Sequence, residues 1–436
     1  MNQSNFGLLF SSKDLFHRLC FLLVALLVYR FGTFITLPSV NPAHVSEVFG
    51  ANLSSGIIGM FNTFSGGALG RMTLFALNVM PYIVSSIGVQ VFFSMLKSEG
   101  KVSAEFMNES RLSFYSKLVA LFLAFFQGFV IVVGLERTKA FVGGNEEFYS
   151  LLKYTSVLTL VCGTFSLIWL GQQINSRGIG NGISLIIFAG IVAEMPAIFG
   201  NLFSGIGSPS SGILGVFVSL SLLFFVVFLV VLVERASRNI PVHYPRRRTW
   251  GSTHGDAVSN IPVKINVSGV IPPIFANALI LFPLTLANFS ADSYLGELII
   301  RYFSVGQPLY FLLHSCLLVF FCFFYSDFVF NTTEISDSLK KGEAIVAGRR
   351  PGVSTKKYLD YVLTRVTVVG AAYLVCICVV PEIFRSHFGF DAIISGTSLL
   401  IIINVITDLL SQIQVHLFSS HYSSFLKKGG VIFNKR

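Results

Sequence analysis

The stretch Arg177-Gly-Ile-Gly-Asn-Gly-Ile-Ser184 has the glycine spacing of a phosphate-binding loop. Such a loop needs a strand before it and a helix after it, so that amides at a helix N-terminus face the anion. Here a long apolar run precedes it. We therefore read a tight turn in which glycines allow close backbone approach. Arg30, Glu194, Asp327 and Asp408 are charges inside or beside apolar runs. A charge in hydrocarbon is a functional candidate by default. Glu194 and Asp408 are expected near helix ends, where pairing or solvation would account for them. No group of carboxylates resembles a proton relay, which argues against an ion-coupled solute transporter. The sequence has no His-Glu-x-x-His, no Gly-x-Ser-x-Gly and no aspartate pair on adjoining runs. A membrane-bound protease or transferase would therefore lack a visible catalytic group. Cys20, Cys162, Cys316, Cys322, Cys376 and Cys378 lie in apolar runs without zinc-ligand spacing. They read as small packing residues. The histidines are scattered, and His416 and His421 read as solvated. No metal, no other cofactor and no enzymatic activity are expected.

These residues need a membrane-embedded helical frame to position them. Of the 436 residues, 53% are apolar and 12% charged, and the mean hydropathy is +0.73. A soluble domain is nearer a quarter charged. Lipid must cover much of this chain, and 45 Phe against two Trp suits lipid-facing helices. A span needs about 20 mostly apolar residues. Ten runs qualify: 19–36, 74–95, 115–134, 152–172, 183–200, 213–233, 267–289, 307–329, 365–384 and 393–413. The seventh is interrupted by Pro272-Pro273. The first is long enough to span and lacks a small-residue cleavage site after it, so it is not expected to be a cleaved leader. The run 57–70 is too short to span and is rich in Gly, Ser, Thr and Asn. It reads as a re-entrant segment, which must be buried in protein or line a cavity.

With ten spans both termini share one side. That side carries 24 of the 31 Lys and Arg, and the opposite loops carry five. The asymmetry puts the termini, the tail 414–436 and the large loops 234–266 and 330–365 in the cytoplasm. Five spans per half is an odd number, so repeated halves would be inverted about a pathway between them. The expected fold is an all-α integral membrane protein. Ten transmembrane helices would form two inverted five-helix halves, 1–200 and 201–436, around a central pore with a short plug helix.

Four stretches then carry a resemblance: FNTFSGGALGRMTLFALNVMPYI (61–83), WLGQQINSRGIGNGISLIIFAGIVA (169–193), IPVKINVSGVIPPIFANALILFP (261–283) and GRRPGVSTKKYLDYVLTRVTVVGAAYL (348–374). In order and spacing, over essentially the whole chain, they resemble the SecY family of protein-conducting channels. The resemblance implies a channel in the bacterial inner (plasma) membrane. It would pass unfolded secretory chains across the bilayer and release transmembrane segments sideways into lipid. It implies SecE-like and SecG-like small membrane subunits, a SecA-like motor ATPase, the ribosome, signal peptides and nascent chains as partners.

Residue by residue, the family's pore ring falls on Val79, Ile83, Ile183, Ile187, Ile274 and Ile401. Branched aliphatics offer no hydrogen bond, so such a ring could seal by dewetting around a moving peptide. The plug falls on 57–70, with Met60, Phe61, Asn62, Phe64, Ser65, Gly66, Gly67 and Leu69. From its composition it is expected to make few strong contacts and to move at little cost. The spans 74–95 and 267–289 match the two sides of the lateral gate, with Ser86, Gln90, Gln127 and Asn266 at its polar positions. Arg350 falls on the family's cytoplasmic arginine for motor and ribosome, with Arg349, Arg246, Arg247 and Arg248 beside it in the basic loops. Three positions depart from the family pattern. Arg349 stands where an apolar residue is usual, Trp250 occupies a tip that often carries a basic pair, and Asp327 replaces a neutral residue.

Overall fold

The computed structural model describes residues 13–38, 40–41, 62–98, 109–137, 146–204, 212–244, 257–289, 302, 307–388 and 395–433. Met60, Phe61, Arg246, Arg247, Arg248 and Trp250 lie outside the described residues. The elements run α1 (Lys13–Gly32), α2 (Met80–Ser98), α3 (Glu109–Arg137), α4 (Glu146–Arg177), α5 (Gly182–Ser204), α6 (Gly212–Arg235), β1 (Ser237–Tyr244) and β2 (Ala257–Lys264). They continue with α7 (Ile271–Phe289), α8 (Pro308–Val329), α9 (Thr332–Lys341), β3 (Ile345–Val346), α10 (Val353–Phe388) and α11 (Gly396–Phe433).

Eight of these helices are long and apolar enough to cross a membrane, and α2 and α7 carry shorter apolar stretches, Met80–Ser94 and Ile271–Ile280. Together they account for the ten expected spans. The two short ones have physical causes. The second expected span began at 74, but residues 65–79 are a chain of turns and helix starts only at Met80. In the seventh, Pro272-Pro273 does not interrupt a helix. It opens one, since proline is tolerated where the first amides have no helical partner. Large apolar side chains such as Phe122, Phe217, Phe224 and Phe320 stand exposed on these helices. That surface is stable only against hydrocarbon, so the protein is a multi-pass membrane protein.

The chain divides into two compact units. One comprises Met1–Phe203, Pro283–Arg301 and Ile401–Arg436, and the other Ser204–Phe282 and Tyr302–Leu400. In the first, α4 packs on α1, α2 and α3, and α2 packs on α3. A Cβ at Gly163 on α4 would run into the Leu74 carbonyl oxygen, so glycine lets α4 lie against the turn segment. Gly163→Val is expected to cost about 1–3 kcal/mol by overpacking. The check is the thermal unfolding midpoint of the detergent-solubilised protein, which should fall.

In the second unit α10 packs on α6, α8 and α9. From sequence the large loops show only their basic residues. The structure adds a sheet of order β2-β1-β3, antiparallel at both pairings. Ile240 and Val242 alternate with exposed Asn239 and Pro241, the period of a half-buried strand. They share a core with Val263, Val346, Leu339, Leu359, Val362 and Val366. The sheet is thus fastened to α9 and α10.

Candidate functional site

The short polar segment after α1 is the most specific feature of the first unit. Among the described residues it is helical over 62–64 and then turns through to 79. Gly66 and Gly67 take φ of 67° and 79°, where a side chain is strained. Asn62 ties the turn internally, since its Oδ1 accepts from the Gly70 amide at 2.7 Å and its carbonyl accepts from Gly67 N at 2.9 Å. Ser65 Oγ accepts from Leu69 N at 3.2 Å. The chain then pairs with the end of the first span: Leu37 N donates to Met72 O, and Leu74 N to Ile35 O, each at 2.9 Å.

Three side chains from outside residues 62–70 donate to the backbone of this stretch. Tyr29 Oη reaches Ser65 O at 3.2 Å, Arg30 Nη1 reaches Gly66 O at 3.0 Å, and Asn78 Nδ2 reaches Phe64 O at 2.7 Å. On α5, Gly190 leaves the room: a Cβ there would crowd Phe64 O and the Tyr29 hydroxyl. Phe64, Ser65, Ala68 and Leu69 are buried. The expectation of few strong contacts is therefore corrected. The anchors escaped it because they lie outside the segment and bind its carbonyls, which the composition of 57–70 does not reveal. A second correction concerns Glu194. It stands in the middle of α5, not near an end, and its Oε1 lies 3.8 Å from Arg71 Nη2. The same expectation fails for Asp408, which stands at the thirteenth residue of α11 and is exposed there, whereas Asp327 is exposed in the last turn of α8.

Each of the six aliphatic positions falls near the start of its own helix. Val79 and Ile83 flank the start of α2, Ile183 and Ile187 fall in the first two turns of α5, Ile274 in the first turn of α7 and Ile401 in the second of α11. All are buried except Ile183, which is half-buried against Gly171. Ile274 belongs to the second unit and the other five to the first. Among the polar gate positions, Ser86 donates to the Ile83 carbonyl at 3.1 Å. Gln90 and Gln127 are half-buried, and Gln127 Oε1 has no hydrogen bond among the described residues.

Asn266 is different. It is 3% exposed. Its Nδ2 donates to Glu234 Oε1 at 2.6 Å and Gly269 O at 3.2 Å, and its Oδ1 accepts from Ser268 Oγ at 3.2 Å and Gly269 N at 3.1 Å. All four valences of the amide are used. Tyr373 Oη on α10 also reaches Glu234 Oε1, at 3.5 Å. Asn266 therefore knots the end of α6 to the start of α7. Glu234 and Tyr373 were missed from sequence, although Glu234 ends an apolar run and so had a signal.

The glycine-rich turn 177–184 holds its amides already bonded. Gly180 N donates to Gln412 Oε1 at 2.7 Å, Gly182 N to Asn175 Oδ1 at 2.6 Å and Ile183 N to Asn181 Oδ1 at 3.2 Å. A Cβ at Gly182 would run into Gly171 O, the close approach expected of these glycines. In the second large loop, Gly348 and Gly352 take φ of 73° and 97° on either side of Arg349-Arg350-Pro351. Arg349 N donates to Val346 O at 3.0 Å, and Thr355 Oγ1 donates to Arg350 O at 2.8 Å. The turn is fixed, and both arginines are exposed. Arg349 lies over the Tyr358 ring, 5.3 Å from its centroid.

Comparison with known proteins agrees with this frame. The SecY family model matches residues 73–410. The protein translocase subunit SecY of Rickettsia conorii is 41% identical over 429 residues, covering 96% of this chain and 97% of that protein. That of Escherichia coli K12 is 41% identical over 427 residues, covering 96% and 95%. Among solved structures, a protein-conducting channel superposes with a TM-score of 0.65 at 17% identity, over 91% of each chain. Sec61 of the canine ribosome-channel complex from the endoplasmic reticulum superposes with a TM-score of 0.60 at 18% identity, also over 91% of each. By its sequence, and with the fold to match, the chain belongs to the SecY family.

Proposed function

We infer that this protein is the pore subunit of a protein-conducting channel. Unfolded secretory chains pass across the membrane through it, and transmembrane segments leave sideways into lipid. The observation that carries this reading is the buried, anchored turn segment 62–79 beside α2, in a chain of the SecY family.

In this reading residues 57–70 are the plug. The halves 1–200 and 201–436 flank the pore, and Val79, Ile83, Ile183, Ile187, Ile274 and Ile401 form its ring. Aliphatic side chains exclude water and ions while gripping no particular sequence, which suits varied substrates. Helices α2 and α7 form the gate, with Ser86, Gln90 and Gln127 at its polar positions and Asn266 anchoring the start of α7. A hydrophobic segment leaving through this gate gains its transfer energy from lipid. Full secretion needs work from a motor ATPase or ribosome, so the channel itself is passive. Small single-span subunits complete the assembly in the inner membrane, and both termini face the cytoplasm.

The basic loops are the partner's platform. Phosphates of ribosomal RNA and acidic patches of a motor both suit them. Arg350 is the sharper contact, since its turn is fixed on both sides by glycines. Arg349 is already drawn to Tyr358. Arg350→Glu is expected to lower motor-driven export about tenfold, a loss of roughly 1.4 kcal/mol of contact energy, with an unchanged unfolding midpoint. Export at the parental rate would remove this arginine from the contact. The test of the whole reading is reconstitution. Liposomes holding the chain and its co-purifying subunits should take up a secretory precursor when motor and ATP are supplied, and no uptake would sink it.

A further inference from the structure

We propose that Arg71 and Glu194 form a clasp that closes over Gly67 and keeps the plug segment seated; this rests on the plug reading above. Arg71 follows the segment in sequence, whereas Glu194 stands mid-way along α5, so the pair joins the segment to the frame. Nη2 and Oε1 are 3.8 Å apart, with side-chain exposures of 38% and 17%. Both press on one point. A Cβ at Gly67 would run into Glu194 Oε1 and lie 2.6 Å from Arg71 Nη2. A side chain at Gly67 would push the pair aside, and the φ of 79° there favours glycine as well.

A second arginine backs the first. The Arg30 and Arg71 guanidinium carbons each lie 4.8 Å from the centroid of the Phe34 ring, and Arg30 Nη1 also holds Gly66 O. Two cations and one carboxylate thus gather around residues 66–67. Glu194 is the only member on α5, so its charge is what ties the segment to that helix electrostatically. Opening the clasp leaves a carboxylate on an apolar helix, a cost relieved only when water reaches it. Plug release and hydration of the pathway are thereby coupled.

The test is resting ion conductance of the full chain with its co-purifying subunits in planar bilayers, without substrate. Glu194→Gln keeps the length and removes the charge. It should raise resting conductance about fivefold, the population shift that loss of one partly buried ion pair brings. Arg71→Glu alone should leak at least as much. The double reversal Arg71→Glu with Glu194→Arg should return conductance to near the parental value. A parental seal in Glu194→Gln, alongside a leak on deletion of 62–69, overturns the clasp and leaves the plug reading standing. A parental seal in the deletion as well overturns both. If Glu194→Gln does not assemble, the double reversal decides: tight supports the clasp, leaky overturns it.

Discussion

Channels lacking residues 60–70 should conduct ions at rest at least about tenfold more than the intact protein. The deletion removes the carbonyls of Phe64, Ser65 and Gly66, which accept from Asn78, Tyr29 and Arg30. It also removes the buried Ala68 and Leu69. Each hydrogen bond contributes about 1 kcal/mol net, so together they hold the seated state by a factor well above ten. The donors remain on the frame after deletion and are satisfied by water, which is what a leaking pathway contains. Single-channel recording in planar bilayers reads this directly, and a parental conductance would remove the plug from the mechanism. The segment is anchored by side chains of its neighbours, so its release must involve movement around Tyr29, Arg30 and Asn78.

The second large effect belongs to the knot at the start of α7. Asn266→Leu should lower stability by about 2–3 kcal/mol. It removes the amide that donates to Glu234 Oε1, and hydrogen bonds to a charged group are worth about 1.5–3 kcal/mol. It also removes the acceptor of Ser268 Oγ and Gly269 N. Asn266→Asp should do at least as much damage, because it sets a second carboxylate against the first. Thermal unfolding in detergent measures both variants, and an unshifted midpoint in each would show that the knot holds nothing. Glu234 is 7% exposed and lies 3.5 Å from the Tyr373 hydroxyl, so the carboxylate also bridges α6 to α10. Loss of Asn266 should therefore loosen the end of α6 as well as the start of α7. We expect lateral release of a transmembrane segment to slow, since α7 is one proposed wall of the gate.

Composition and span length were legible in the sequence because they follow from the solvent. Apolar runs of membrane length have one stable environment. The tight turn at 177–184 was legible for a local reason, since its glycines are required by backbone approach at Gly171. The sheet was not foreseen. Alternation in Ser237–Tyr244 and Ala257–Lys264 covers eight residues each, inside loops whose charge dominates their composition. Its core needs Leu359, Val362 and Val366, which come from α10 nearly a hundred residues on.

The sequence alone determined that this is a many-span membrane protein of the SecY family with a short, polar, non-spanning segment between its first two long spans. Patterns of twenty apolar residues and four motifs in register carry that much, because each is a local property of the chain. Only the tertiary structure decided how that segment is held. Its composition suggested weak contacts, yet its carbonyls are taken by Tyr29, Arg30 and Asn78. Glu194, more than 120 residues away, meets Arg71 above Gly67. Backbone carbonyls carry no sequence signature, and a single carboxylate on an apolar helix does not name its partner. Those contacts exist only once the helices have packed.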